Sequence, residues 1–419
     1  MWRPFKYLWL WWRVEDWFVK SYRPVILEIR IPKDSLKPIR AMESVMASIH
    51  MAITQPPDIW EKWLEGQVQT SVSFEIASIG GEIHFYVRFN SPYRDAVEAS
   101  IYSQYPEAEI FEVEDYTKTV PQDVPNKDWD LFGSDWRFPK DDHFPIKTYT
   151  DFETEQESEE EKRIDPISSL MEGLSKVKPG EQFWFQFLAE PLTDATADKG
   201  FLIGLGKIPG ALSVWLKAGM KLRDELAYRK EKETKQTPML FEAVKILITG
   251  EPTQIIEEKQ EFIPAEMKLT PGEKEILAGL EKKMAKPIFN VTVRFVFLGN
   301  REVFFRSNFR LAFAYYNEYA TSNLNMFLPN SKTLTKIKKS WFFIPNLWRP
   351  RRAYLRARRV FKNYINRYTS FFPRSGGQIA LNIEEMASLY HFPSWAVSPV
   401  PGAQRVEAKK GPPPELPTE

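Results

Sequence analysis

QTSVSFEIASIGGEIHFYVRF, residues Gln69 to Phe89, fixes the reading of the whole chain. Two runs of alternating apolar residues flank Gly80-Gly81, the kind of pair a two-residue hairpin turn favours because its positions need positive φ. An antiparallel hairpin is expected. Upstream, VILEIRIP (Val25 to Pro32) alternates in the same way and reads as a strand. Between them, Ile39, Met42, Val45, Met46, Ile49 and Ile53 recur at helical spacing. Downstream, Ser91 to Pro106 reads as a helix and Ala108 to Tyr116 as a strand. The order strand, helix, strand, strand, helix, strand is the split-βαβ, ferredoxin-like plan, and it is expected over residues 24–120.

The plan then recurs in a more broken form. Residues 121–144, rich in Trp, Pro and Asp, read as a connector. A second unit is expected over residues 145–331. It begins with FPIKTYTDF (Phe144 to Phe152) as a strand and continues with a helix from Asp165 to Val177. The aromatic strand EQFWFQFLAEPL (Glu181 to Leu192) follows. A mostly helical insertion over residues 193–286 interrupts the plan. It resumes with NVTVRFVFLGN (Asn290 to Asn300) as a strand, Asn308 to Ser322 as a helix and Asn323 to Pro329 as a last strand. The expected fold class is α+β: two ferredoxin-like units, the second carrying a helical insertion, followed by a C-terminal basic amphipathic helix.

A net charge of +1 hides an asymmetry. Thirteen Lys and Arg and no acid lie between Lys332 and Arg374, leaving 44 of the 57 basic residues to set against all 56 acids. Seven acids crowd into Asp151 to Glu161. Such asymmetry speaks of partners rather than of fold. Within the basic stretch (residues 332–374), Tyr354, Ala357, Phe361, Tyr364, Ile365 and Tyr368 fall on one helical arc. Arg351, Arg352, Arg356, Arg358, Arg359, Lys362 and Arg367 take the opposite half, with Leu355 among them. Phosphate is the expected partner, from anionic lipid or a nucleic-acid backbone. The alternative is that these cations pair with the chain's own carboxylates.

The first 23 residues are the second anomaly. Trp2, Trp9, Trp11, Trp12 and Trp17 are five of the fourteen tryptophans. The segment is too charged to span a bilayer, which takes about 20 apolar residues, and it lacks the form of a signal peptide. Tryptophan prefers the headgroup level, and Lys6, Arg13 and Lys20 repeat every seven residues on one line. An interfacial helix at the membrane surface is expected. The alternative is an aromatic arm docked on the protein's own core or a partner.

The sequence presents no catalytic constellation. With no cysteine, disulfides, thiolate metal sites and a Cys nucleophile are excluded. His50, His84, His143 and His391 are scattered, and no metal or cofactor is expected. The nearest approach to a phosphate loop is GFLIGLGKIPG (Gly200 to Gly210). Phe201 stands where the first glycine belongs, and Ile208 where a hydroxyl should meet magnesium. The purified chain is therefore expected neither to bind nor to hydrolyse ATP; stoichiometric binding by calorimetry would overturn that expectation.

Near the end, ALNIEEMASLYHFP (Ala380 to Pro393) is followed by a linker and then AKKGPPPELP (Ala408 to Pro417). Together they resemble the stretch just before the motor domain of type IV secretion and conjugation-type ATPases of the HerA/FtsK-like class, especially those of small-genome uncultured bacteria. In that class an LNxEExAxLYHxP helix and a KxxPPPxxLP linker lead into a phosphate-loop domain. SFEIASIGGEIHFYVRFNSPYRDAVEASIYSQYPEAEIFEVEDY (Ser73 to Tyr116) and KPGEQFWFQF (Lys178 to Phe187) resemble the N-terminal region of the same proteins. None of these motifs is catalytic, so the resemblance carries over no catalytic residue. It implies a non-enzymatic accessory module at the cytoplasmic face of the cell membrane, working with a separate phosphate-loop ATPase. DNA and a further copy of the chain are additional candidate partners. The competing expectation is a nucleic-acid-binding protein that uses the sheets and the basic helix. Residues 375–419 are expected as a short helix and a Pro-rich linker leading toward the absent motor.

Overall fold

A computed structural model describes residues 2–32, 37–55, 57, 60–152, 165–194, 211–227, 269–339, 346–368 and 378–393. The acidic run after residue 152, the loop compared with a phosphate loop, Arg374 and the Pro-rich tail lie outside the described residues, as does much of the 193–286 insertion.

The fold is mixed α+β, built on one antiparallel sheet. Its strands are β1 (Pro24–Arg30), β2 (Val72–Ile79), β3 (Glu82–Asn90), β4 (Glu109–Glu112), β5 (Trp129–Arg137), β6 (Glu181–Pro191), β7 (Ile288–Asn300), β8 (Leu328–Pro329) and β9 (Gln378–Asn382). Their order across the sheet is β4-β1-β3-β2-β6-β7-β5-β8, with β9 also paired to β7. The β2–β3 hairpin turns on Gly80 and Gly81 at φ 60° and 99°, values that a side chain rarely tolerates. Strand β7 is thirteen residues long, and its edge is shared. Its second half pairs with β5 and its first half with β9.

Helices α2 (Ile39–Ile53), α3 (Arg94–Gln104), α5 (Ser168–Ser175), α8 (Arg310–Glu318) and α10 (Ile383–Leu389) feed one hydrophobic core with Phe183, Phe185 and Phe187 of β6. The helical positions expected of α2 are all buried. Trp184, pointing the other way as a strand requires, joins a second core. That core is closed by α9 (Arg349–Ile365). The remaining helices are α1 (Trp2–Ser21), α4 (Tyr149–Phe152), and α6 (Ala211–Ala227) and α7 (Pro271–Met284) within the insertion.

Three expectations need correction. Strand β5 lies inside the stretch read as a connector. Phe144 to Phe152 is not a strand, because its amides go elsewhere. Ile146 N–H donates to Glu385 Oε1 (3.0 Å), Tyr149 N–H to Ser388 Oγ (2.9 Å) and Lys147 N–H to Tyr319 O (3.2 Å). Of the strand expected over Asn323 to Pro329 only Leu328–Pro329 forms, and β9 forms where a helix and linker alone were expected.

Candidate functional site

Helix α9 lays Ala357, Val360, Phe361 and Tyr364 against Trp184, Leu131 and Val296 of the sheet. Beneath its C-terminal end runs a row of buried polar side chains. Glu28, Tyr86, Glu75, Gln186, Arg294 and Asp135 are successive cross-strand partners on β1, β3, β2, β6, β7 and β5. Arg294 Nε donates to Asp135 Oδ1 (2.6 Å) and its Nη1 to Gln186 Oε1 (3.0 Å). Gln186 Nε2 donates to Glu75 Oε1 (2.9 Å).

The end of α9 closes onto this row. Gln186 Nε2 also donates to Tyr364 O (3.2 Å), and Arg294 Nη2 to Tyr368 O (3.1 Å). The Tyr116 hydroxyl donates to Glu75 Oε2 (2.7 Å) and meets the Tyr364 hydroxyl at 2.8 Å. Arg367, two residues past the helix and at φ 52°, turns back and forks Glu75 through Nε and Nη2, both at 3.0 Å. It also binds Asp115. Burial would push the Glu75 carboxyl up, but the Arg367 guanidinium and the Ser73 and Tyr116 hydroxyls override it and hold it below the usual carboxylate range. Burial and the Glu75 charge push the Tyr116 phenol well up, so it remains a donor.

Arg367 is therefore not part of a binding face. Among the described residues, it is the one of the seven predicted cations that pairs with the chain's own carboxylates. Arg351, Arg352, Arg358, Arg359 and Lys362 are exposed on α9. Arg356 is half-buried and donates to the carbonyls of Ser331 (2.9 Å) and Leu334 (3.3 Å). Burial and the neighbouring Arg352 and Arg359 charges lower its pKa. Among the described residues, none of these six has an acidic ion-pair partner.

Helix α1 is inverted relative to a core helix. Leu10 is buried and Trp17 half-buried, while Phe5, Leu8, Trp11, Trp12, Phe18 and Val19 face outward, Trp11 at 67% and Val19 at 80% exposure. Those outward residues share one arc, interrupted only by Glu15. Trp9 Nε1–H donates to Trp63 O (2.9 Å), tying α1 to the turn of helix at Glu61–Glu65. Just after that turn Gly66, at φ 76°, lies so close to α1 that a Cβ there would sit 2.1 Å from Arg13 O. Trp60 and Leu64 beside it are exposed too. On the line of cations, Arg13 and Lys20 both pair with Asp16. The side chains of Trp2 and Lys6 lie outside the described residues. Among the described residues no helix is long and apolar enough to cross a membrane.

The motif carrying the resemblance is turned inward. Asn382 and Glu385 form a capping box for α10. Glu384 accepts from Lys282 (2.7 Å), Lys286 (2.6 Å) and Thr148 (2.6 Å), and Glu385 pairs with Lys283 at 3.1 Å. His391 Nε2 meets Asp165 Oδ1 at 2.8 Å. His50, His84 and His143 sit apart from it and from one another, each with its own hydrogen-bond partner.

The polar row escaped the sequence reading, although each member left a trace. Glu75, Gln186 and Arg294 are each flanked on both sides by apolar residues in the middle of a strand. Only the strand register brings them together.

A family described as a domain of unknown function, DUF8128, matches residues 16–399. No curated protein matches the chain.

Proposed function

The chain belongs to the DUF8128 family, and we propose that it is a non-enzymatic, peripheral membrane module of a translocation system of the type IV secretion or conjugation kind. In this reading it works at the cytoplasmic face with a separate HerA/FtsK-like ATPase. The observation that carries the membrane part is the outward apolar arc of α1. Six large apolar side chains there face solvent on a helix whose opposite side is docked. Exposed apolar surface of this kind marks a membrane or protein contact, and aromatic side chains favour the headgroup layer. The translocation part rests on the resemblance around Ala380 to Pro393.

The strand order supports two ferredoxin-like units. Outward from the β2–β6 junction the sheet reads β2-β3-β1-β4 on one side and β6-β7-β5-β8 on the other, the same order in each half. In the second, α6 and α7 are inserted between β6 and β7. Such a pair of units is a scaffold for assembly, and the fold alone assigns no chemistry.

A second reading, nucleic-acid binding, draws on the six α9 cations that have no acidic partner among the described residues. An experiment on α1 tests the membrane reading directly. Trp11→Glu combined with Trp12→Glu should weaken vesicle binding ~100-fold, from about 1.5 kcal/mol of lost burial at each position, with the thermal midpoint unchanged. If the double variant co-sediments with vesicles like the parent, the membrane reading of α1 is wrong. If instead the parent is a dimer that the variant dissolves, the arc is a protein interface.

A further inference from the structure

The exposed cations of α9 need a counter-charge that the described part of the chain does not supply. We propose that Arg351, Arg352, Arg358, Arg359 and Lys362 bind the phosphates of anionic lipid headgroups, so that α9 selects acidic membranes while α1 supplies apolar attachment. The inference rests on the membrane reading of α1 and adds the lipid class to it.

Three observations carry it. First, five exposed cations and the half-buried Arg356 lie within twelve residues, ~17 Å of helix at 1.5 Å per residue. Burial first, and then the like charges of Arg352 and Arg359 on the same face, lower the pKa of Arg356. An anion at this face relieves that repulsion. Second, the helix cannot turn its charges away. Its other side is buried on Trp184, and its end is held through Tyr364, Arg367 and Tyr368 on the polar row. The row of charges is thus presented rigidly, which lowers the cost of ordering it on a ligand.

Third, the face is not purely polar. Leu355, flanked at one-turn spacing by Arg351 and Arg359, is 50% exposed. Leu347 and Trp348 are exposed where the helix begins, with the Arg351 guanidinium 5.9 Å from the Trp348 ring centroid. A nucleic-acid backbone offers phosphate but no apolar phase for these side chains. A headgroup layer offers both, with phosphate for the cations and the acyl boundary for Leu347 and Leu355. The rest of the acid-rich chain would be repelled by an anionic surface, so α9 also sets which side faces the membrane.

The test uses the full chain with phosphatidylcholine vesicles, with and without phosphatidylserine, and a duplex DNA of similar charge density. The parent should bind phosphatidylserine vesicles ~100-fold more tightly than neutral ones, a preference that shrinks as salt rises. Arg352→Glu, Arg359→Glu and Lys362→Glu together should abolish that preference and leave binding to neutral vesicles intact. The matching Gln variant should lose part of it. Unchanged melting of both variants shows that α9 stays docked. A triple variant that keeps the preference overturns the α9 inference while leaving α1 untouched. A parent that binds no vesicle overturns both. Preferential loss of DNA binding, with vesicle binding unaltered, transfers the site to nucleic acid.

Discussion

An Arg367→Met variant is expected to be about 3–5 kcal/mol less stable than the parent at neutral pH, the usual consequence of removing one partner from a buried ion pair. Glu75 is fully buried, and the guanidinium forks both its oxygens. The methionine fills much of the space but leaves Glu75 and Asp115 without their cation. The pH dependence identifies the cause. In the parent the Glu75 carboxyl is held low, so its stabilising charge persists at neutral pH and is lost only as the medium turns strongly acidic. Without Arg367, burial dominates and pushes that carboxyl up. The variant's folded state then binds a proton that the unfolded chain does not, and its stability rises as pH falls toward the weakly acidic range. Denaturant unfolding at neutral and mildly acidic pH should therefore show the deficit narrowing. A deficit below about 1 kcal/mol, the worth of an exposed pair, or one that ignores pH, would show that Arg367 does not hold the row.

The same residue shows where sequence reasoning reaches its limit. A helical wheel extended past Ile365 puts Arg367 in the basic half, but the helix stops there and positive φ swings the side chain inward. The wheel was right for the five exposed cations because they lie inside the helix. Strands β1 to β3 and helix α2 were legible because apolar residues recur along each at the strand or helix period, even though the polar positions between them in β1 and β2 are buried as well. Strand β5 was obscured because Gly133, Ser134 and Asp135 interrupt its alternation. Asp135 is polar for the sake of Arg294, 159 residues away. Phe144 to Phe152 alternated without being a strand, since side chains of α10 satisfy its amides. Strand β9 is five residues that gain a partner only when β7 proves longer than β5 can cover. In each case the missing information was a pairing between distant segments.

Glu384 shows how an apparently local motif acts at long range. From sequence it looks like a first-turn residue of a short helix, favoured by the helix dipole. In the structure it is 1% exposed and draws Lys282 and Lys286 from the α7 end and Thr148 from the preceding loop onto one carboxylate. Burial acts to raise its pKa, yet the two lysines and the threonine hydroxyl prevail and lower it to about 2. A carboxylate held that low contributes stability that is complete above about pH 4.5 and is lost as pH falls toward 2. Lys282 stays half exposed, so solvent screens part of the effect, and about 2 kcal/mol is a reasonable size. Glu384→Gln should therefore lower stability by that amount at neutral pH. Parent and variant should converge on acidification through this window, because the parent's carboxyl becomes neutral as well. Convergence would place the energy in the ionised carboxylate. A constant gap from neutral pH down to pH 2 would assign it to shape and hydrogen bonding, and the lysines would then be bystanders at the join between α7 and α10.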